Sequence, residues 1–258
     1  MKSFISNVTY GDHEIQFSIS SNGGTGDPVI CLHGIQGSRE VLEPLISDKR
    51  FSDYCMLAVD FVGFGNTSKP DDFSYTLSDQ AGAILALMSE LGHPRFHVLG
   101  HSLGGMVGTV LISEAPERVM SFINMEGNLV FKDCGDSKKA AEMNFEEFES
   151  DYFPNLIDRQ RLRGLEHLAS SMERTGAYVF YQTAREIVEV SQSEALLPMI
   201  ERSQLPVLFL IGTKSGYFSR PVSDTIQLKE IEDADHFSLS RNEDSFSEIE
   251  RFLKEVSS

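Results

Sequence analysis

The residues most suited to chemistry in this chain are Gly100-His101-Ser102-Leu103-Gly104, a G-x-S-x-G segment followed by Gly105. A serine hydroxyl is almost never ionised near neutral pH, so it becomes a nucleophile only with a base within hydrogen-bond reach. G-x-S-x-G by itself occurs by chance in many chains. Its surroundings carry the argument. Phe96-His97-Val98-Leu99 reads as a short buried strand, and Leu103, Met106, Val107, Val110 and Leu111 recur at helical spacing. Strand, sharp turn and helix together form the setting that lifts a serine hydroxyl above the end of a sheet. The glycines leave room where strand and helix meet at the bend.

A base must come from elsewhere in the chain. Of seven histidines, His13 lies in a hairpin turn, His93 and His97 flank a helix end and a strand, and His167 lies in a helical stretch. Only His236, in Ala234-Asp235-His236-Phe237-Ser238, follows the nucleophile late enough to satisfy the order serine, acid, histidine. Acyl transfer also needs donors for the oxyanion of a tetrahedral intermediate. The backbone amides of Leu103, just after the serine, and of Ile35, in His33-Gly34-Ile35-Gln36-Gly37, are the candidates. That second segment also reads as a plain strand end with a tight turn, and His33 is expected to bond loop backbone rather than act as a base. Asp60-Phe61-Val62-Gly63-Phe64-Gly65 has G-x-G after a strand but lacks the third glycine and the immediate helix of a dinucleotide site. Asp60 capping a turn made possible by the two glycines is the better reading.

These residues need a scaffold. Ser3–Tyr10 and Glu14–Ser20 read as a hairpin, and Asn22–Asp27 as a flexible glycine-rich turn. Pro28–Leu32, Tyr54–Asp60, Val119–Met125, Pro206–Ile211 and Ile226–Ile231 read as strands. Helices are expected over Glu40–Ile46, Tyr75–Leu91 and Glu243–Val256. Alternating strands and helices around buried apolar runs predict an α/β fold, a mostly parallel sheet covered on both faces. From Asn128 to Gln204 no strand is evident, and charged and aromatic residues interleave at helical spacing. A stretch that long cannot be a loop. The expected organisation is a core of residues 1–127 and 205–258, with 128–204 as a helical cap over the carboxyl edge of the sheet.

Composition narrows the partners. The chain has 258 residues, 41% of them hydrophobic, enough for one large core. A formal charge of −17 argues against nucleic acid and anionic membranes. No apolar run approaches the ~18 residues that span a bilayer. Cys31, Cys55 and Cys134 lack C-x-x-C spacing and read as free thiols, which suggests a cytoplasmic setting.

Together, His33-Gly34, Asp60-x-x-Gly63-x-Gly65-x-x-Ser68, Gly100-His101-Ser102-Leu103-Gly104-Gly105 and the late His236 resemble the α/β-hydrolase family over essentially the whole chain. The resemblance implies an eight-stranded sheet whose second strand is antiparallel, helices on both faces, a cap after the sixth strand, and neither metal nor organic cofactor. One departure is informative. Most members carry the triad acid after the seventh strand, where this chain has Leu210-Ile211-Gly212-Thr213-Lys214-Ser215 and no carboxylate before Asp224. Some relatives, haloalkane dehalogenases among them, place the acid after strand six, where Glu126 stands. Glu126 is thus the expected partner of His236, with a glutamate that merely bonds loop amides as the alternative. Asp233 and Asp235 are weaker candidates. A serine nucleophile, unlike the carboxylate of dehalogenases and epoxide hydrolases, implies acyl transfer on a small-molecule ester, with thioester, lactone or C–C hydrolysis and a non-catalytic receptor as alternatives, in a monomer or homodimer. Phe145, Phe148, Tyr152, Phe153, Tyr178, Phe180 and Tyr181 are expected mainly to pack the cap, with a few lining an apolar pocket.

Overall fold

Successive side chains of the inner strands point into two different apolar layers. Ile30, Leu32, Leu57, Val59, Val98, Phe122, Phe209 and Ile211 face one layer. Val29, Cys31, Met56, Ala58, Leu99, Ile123, Leu208 and Leu210 face the other. This alternation is what the period of two requires of a sheet buried on both faces. A computed structural model of the chain describes residues 1–216 and 218–257.

The strands are β1 (Lys2–Tyr10), β2 (His13–Ser21), β3 (Pro28–Leu32), β4 (Cys55–Val59), β5 (Phe96–His101), β6 (Val119–Met125), β7 (Val207–Gly212) and β8 (Ile226–Ile231). They form one eight-stranded sheet in the order β1-β2-β4-β3-β5-β6-β7-β8. β2 runs antiparallel to both of its neighbours, and all pairs from β4 to β8 are parallel. From β3 the chain winds first toward β4 and then back to β5 on the other side. Such a reversal of strand order opens a crevice at the carboxyl ends, where open α/β sheets place their sites.

The described residues form ten α-helices: α1 (Glu43–Ile46), α2 (Leu77–Glu90), α3 (Leu103–Glu114), α4 (Asp136–Glu142), α5 (Phe145–Glu147), α6 (Phe153–Leu162), α7 (Glu166–Thr175), α8 (Ala177–Gln192), α9 (Leu196–Glu201) and α10 (Glu243–Val256). The helix α3 is buried from Leu103 through Ile112, which accounts for its lack of a polar face. By contrast, α10 buries Phe246, Ile249, Phe252 and Leu253 at helical spacing. Asn242 caps it by accepting from the Asp244 and Ser245 amides, a contact of roughly 1 kcal/mol. Every element between β6 and β7 is helical, including a π-helical turn at Phe148–Tyr152. Among the described residues no helix is long and apolar enough to cross a membrane.

Two local expectations need correction. The helix expected over Glu40–Ile46 is a 3-10 turn, Arg39–Leu42, followed by α1. Pro44 has no amide proton to give the carbonyl of Glu40, so the regular ladder cannot run through. The Asn22–Asp27 segment is a clasp rather than a loose turn. Asn22 Nδ2 donates to the carbonyls of Phe51 and Tyr54, at 3.0 and 3.1 Å. A Cβ on Gly24 or Gly26 would lie 2.0 or 1.8 Å from the Tyr54 or Asp53 carbonyl oxygen. Close backbone approach is why those positions are glycine.

Candidate active site

The site is built on the ends of three adjacent strands. β5 runs into Ser102, whose φ of 53° and ψ of −115° lie in a region that non-glycine residues rarely visit. Its amide donates to the Met125 carbonyl at 3.0 Å, and the Gly105 and Met106 amides return to the Ser102 carbonyl. Close packing fixes the bend. A Cβ on Gly100 would lie 2.2 Å from the Gly104 oxygen, and one on Gly104 would lie 2.2 Å from the Leu32 oxygen.

β6 ends in a second strained residue, Glu126, with φ of 50°. Its carboxylate is fully buried and both oxygens are occupied. Oε1 accepts the Gly212 amide at 2.7 Å, and Oε2 lies 2.7 Å from His236 Nδ1. Gly212 is the last residue of β7, so that strand end supplies an amide to the carboxylate of β6. Ser215, beyond it, has a buried Oγ without a hydrogen-bond partner among the described residues. The other acids lie elsewhere. Asp235 spends Oδ1 on the Phe237 and Ser238 amides. Asp233 pairs with Lys214 at 2.7 Å, and Asp224 is exposed.

The His236 ring stacks on Phe218 at 5.4 Å and meets Phe237 edge-on at 5.5 Å. His101 Nε2 donates to the His236 carbonyl at 2.7 Å. Burial and the neighbouring His236 push the His101 imidazole down to about 3, so it is neutral near pH 7. His33 is likewise held neutral by burial. Its Nε2 accepts the Phe61 amide at 3.2 Å, and Nδ1 donates to the Gly34 carbonyl at 2.8 Å, which fixes the tautomer. Asp60 takes the Asn66 amide at 3.0 Å across the Gly63–Gly65 turn. It also pairs with Arg39 at 2.9 Å in a buried contact that sequence reading missed, because the partners are 21 residues apart with no motif between them.

Gly34 approaches Ser102 so closely that a Cβ there would lie 3.1 Å from the serine Cβ. The amides of Ile35 and Leu103 donate to no other described residue. Ser102 and His236 both open onto one cavity of about 330 Å³ that Ile35 also lines. No hydrogen bond joins Ser102 Oγ to His236 among the described residues. Of the seven helical-segment aromatics, only Phe180 reaches the cavity, and the rest pack on one another. The wall carries Gln36, Asn128, Lys132, Asp133, Asp136, His167 and Arg241, so the expected apolar pocket is partly polar. Gln36 stood inside a recognised motif. His167, Phe218 and Arg241 carried no local signal, since only tertiary packing brings them to the cavity.

A family model described as the alpha/beta hydrolase fold matches residues 27–240. An uncharacterised carboxylesterase, nap, of Bacillus subtilis (strain 168) is 34% identical over 120 residues, 46% of this chain and 39% of that protein. The chain spans less than half the length of the first curated relatives it matches. Among solved structures, a thermophilic esterase from Thermogutta terrifontis superposes with a TM-score of 0.80 at 19% identity, covering 100% of both chains. The N-acyl homoserine lactonase AidH gives 0.79 at 16% identity, over 99% of this chain and 97% of that one. At such identities the structural likeness speaks for fold alone. The family match covers most of the chain, which therefore belongs to the alpha/beta hydrolase fold family.

Proposed function

We propose that the chain is a serine hydrolase that cleaves a carboxylic ester through an acyl-enzyme on Ser102. The observation that carries this reading is the buried Glu126–His236 pair at 2.7 Å, opening onto the same cavity as a serine held in a strained turn. Glu126 holds His236 with Nδ1 protonated, which leaves Nε2 free to take the serine proton. A rotation of the serine side chain closes that bond, as apo sites commonly require. Ser102 Oγ then attacks the ester carbonyl. The oxyanion accepts hydrogen bonds from the unoccupied Ile35 and Leu103 amides, each worth ~3–4 kcal/mol in the transition state. His236 returns its proton to the leaving alkoxide, and a water activated by the same imidazole releases the acid. Glu126 stabilises the imidazolium without taking its proton.

Residues 128–204 act in this reading as a cap that limits access to Ser102. Asp133 ties the start of the segment down by accepting the Leu129, Val130 and Ser219 amides at 3.0–3.2 Å. The carboxylesterase among the relatives supports an ester, and the lactonase among the structural neighbours makes a lactone the second substrate to try. A fluorophosphonate probe should label Ser102 in the wild type and leave Ser102→Ala unlabelled. The variant should also lose about 10⁴-fold or more in kcat on p-nitrophenyl esters. Intact turnover by Ser102→Ala refutes the proposal.

A further inference from the structure

The cavity is lined in part by Gln36, His167, Ser240 and Arg241, and none of these side chains makes a hydrogen bond or ion pair with another described residue. Gln36 is nine-tenths buried and its Oε1 has no partner among the described residues. Ser240 is 3% exposed. Of these atoms Gln36 Oε1 alone is buried and unpaired, which forfeits about 1–3 kcal/mol, and as an acceptor it leaves only the N–H of that side chain to serve an anion. The four belong to one wall. Ser38 Oγ lies 2.9 Å from Ser171 Oγ, which ties the loop bearing Gln36 to α7, the helix of His167. The Arg39–Leu42 turn packs against both α7 and the Leu239–Arg241 turn. Arg241 also lies near enough to act electrostatically on His167.

The charge of this wall is opposite to that of the chain. Two acids that line the cavity are engaged elsewhere, Asp133 by three amides and Asp136 by Arg159 at 3.4 Å. Asp235, next to His236 in the chain, gives Oδ1 to the amides of its own loop. Arg163 lies over the Phe237 ring at 4.9 Å. A guanidinium, an imidazole, a hydroxyl and a carboxamide thus line the same cavity, and no ion pair ties the guanidinium to a carboxylate among the described residues. In a chain of net charge −17, Arg241 is an exposed arginine that lines the cavity of Ser102 without a carboxylate partner among the described residues, so it is free to meet an anionic group of a ligand.

We infer that this wall binds a free carboxylate on the substrate, so that the preferred ester is a half-ester of a dicarboxylic acid. This rests on the acyl-enzyme reading and adds the identity of its substrate class. Arg241 supplies the charge and a two-pronged contact, with His167, Ser240 and the Gln36 amide completing the cradle.

The test compares monoethyl succinate, glutarate and adipate with the corresponding ethyl carboxamides, which match them in shape and lack only the charge. At the length that spans from Ser102 to the wall, the acid should exceed the amide by roughly tenfold to a hundredfold in kcat/KM, chiefly through a lower KM. Arg241→Gln, at an exposed position that does not endanger folding, should shrink that ratio by about tenfold, and His167→Gln should shrink it less. Equal rates for acid and amide at every length, or a ratio that survives Arg241→Gln, overturn the inference. Fluorophosphonate labelling separates the two levels. A labelled enzyme without the preference defeats the carboxylate wall alone. Absence of both labelling and turnover defeats the acyl-enzyme reading and the wall with it.

Discussion

The strand ends beneath the cavity and the helical segment 128–204 use glycine for opposite reasons. In the strand-end platform, a Cβ on Gly105 would lie 2.6 Å from the Gly127 Cα, just as one on Gly100 or Gly104 would strike backbone. In the helical segment, Gly135, Gly164 and Gly176 have nothing within 4 Å of such a Cβ, and all three have positive φ, at 49°, 73° and 82°. The platform is thus held by contact between distant parts of the chain. Local turns and a shared aromatic cluster build the helical segment instead. Two loops can be brought within hydrogen-bond reach of a serine only where backbones nearly touch. The glycines of the helical segment show no such closeness.

Glutamate 126 tests the platform most severely. If its carboxylate serves His236, Glu126→Gln should cost on the order of 10²–10⁴ in kcat with the fold intact, as judged by circular dichroism. Ser215→Ala removes a hydroxyl with no hydrogen-bond partner among the described residues and should cost little. Equal losses in the two variants would mean that the carboxylate only ties down Gly212.

For the helical segment the largest effect is on stability. Phe148 is fully buried against Phe153, Phe180 and Tyr181, at ring separations of 5.2–5.9 Å. Phe148→Ala should cost about 3–5 kcal/mol in urea unfolding. Since none of those rings but Phe180 borders the cavity, the surviving folded fraction should still acylate at Ser102. Loss of labelling in a folded variant would show that the platform depends on its cover.

How much of this could be read in the sequence follows the same division. The platform was legible because its demands fall on adjacent residues: Gly100 to Gly105, His33-Gly34 and Asp60 with its two glycines. The strand bounds of Val119–Met125 and Ile226–Ile231 emerged from apolar runs alone, and so did the helix Glu243–Val256. What stayed hidden were pairings across long separations. The Arg39–Asp60 bridge, the clasp of Asp133 on Ser219 and the wall of Gln36, His167 and Arg241 have no periodicity to betray them. Helicity of the segment could be read from its spacing. The facing of each aromatic could not, because rings that pack a helix pair and rings that line a cavity follow one period.

Acid unfolding sharpens the contrast further. Burial depresses both His101, to about 3, and His33, whereas an unfolded histidine titrates near 6.5. Below that pH the unfolded chain binds protons that the folded chain refuses, so the stability these residues preserve is complete near pH 7 and declines as pH falls. His101 contributes a slope that approaches ~1.4 kcal/mol per pH unit at the lower end of that window, and His33 acts in the same direction. In the helical segment His167 is lowered too, but it is only half-buried. Urea unfolding between pH 6.5 and 5, above the carboxylate range, should show a slope that His101→Gln flattens clearly and His167→Gln flattens less. An unchanged slope in His101→Gln would mean that the ring is protonated in the folded chain.

The smallest expected effect separates the two kinds of glycine directly. Gly164 ends α6 with φ of 73° in open space, so an alanine there meets only the left-handed backbone penalty, roughly 1–2 kcal/mol. Gly164→Ala should fold, label at Ser102 and unfold at modestly lower urea. Gly104→Ala has no such latitude. Its methyl would lie 2.2 Å from the Leu32 oxygen, a contact that neither backbone can relieve without moving β3 away from α3. It should leave little soluble protein, or protein unable to label at Ser102. Parity between the two variants in urea midpoint and labelling would mean that the platform yields as easily as a surface turn, and the contrast between the regions would fail.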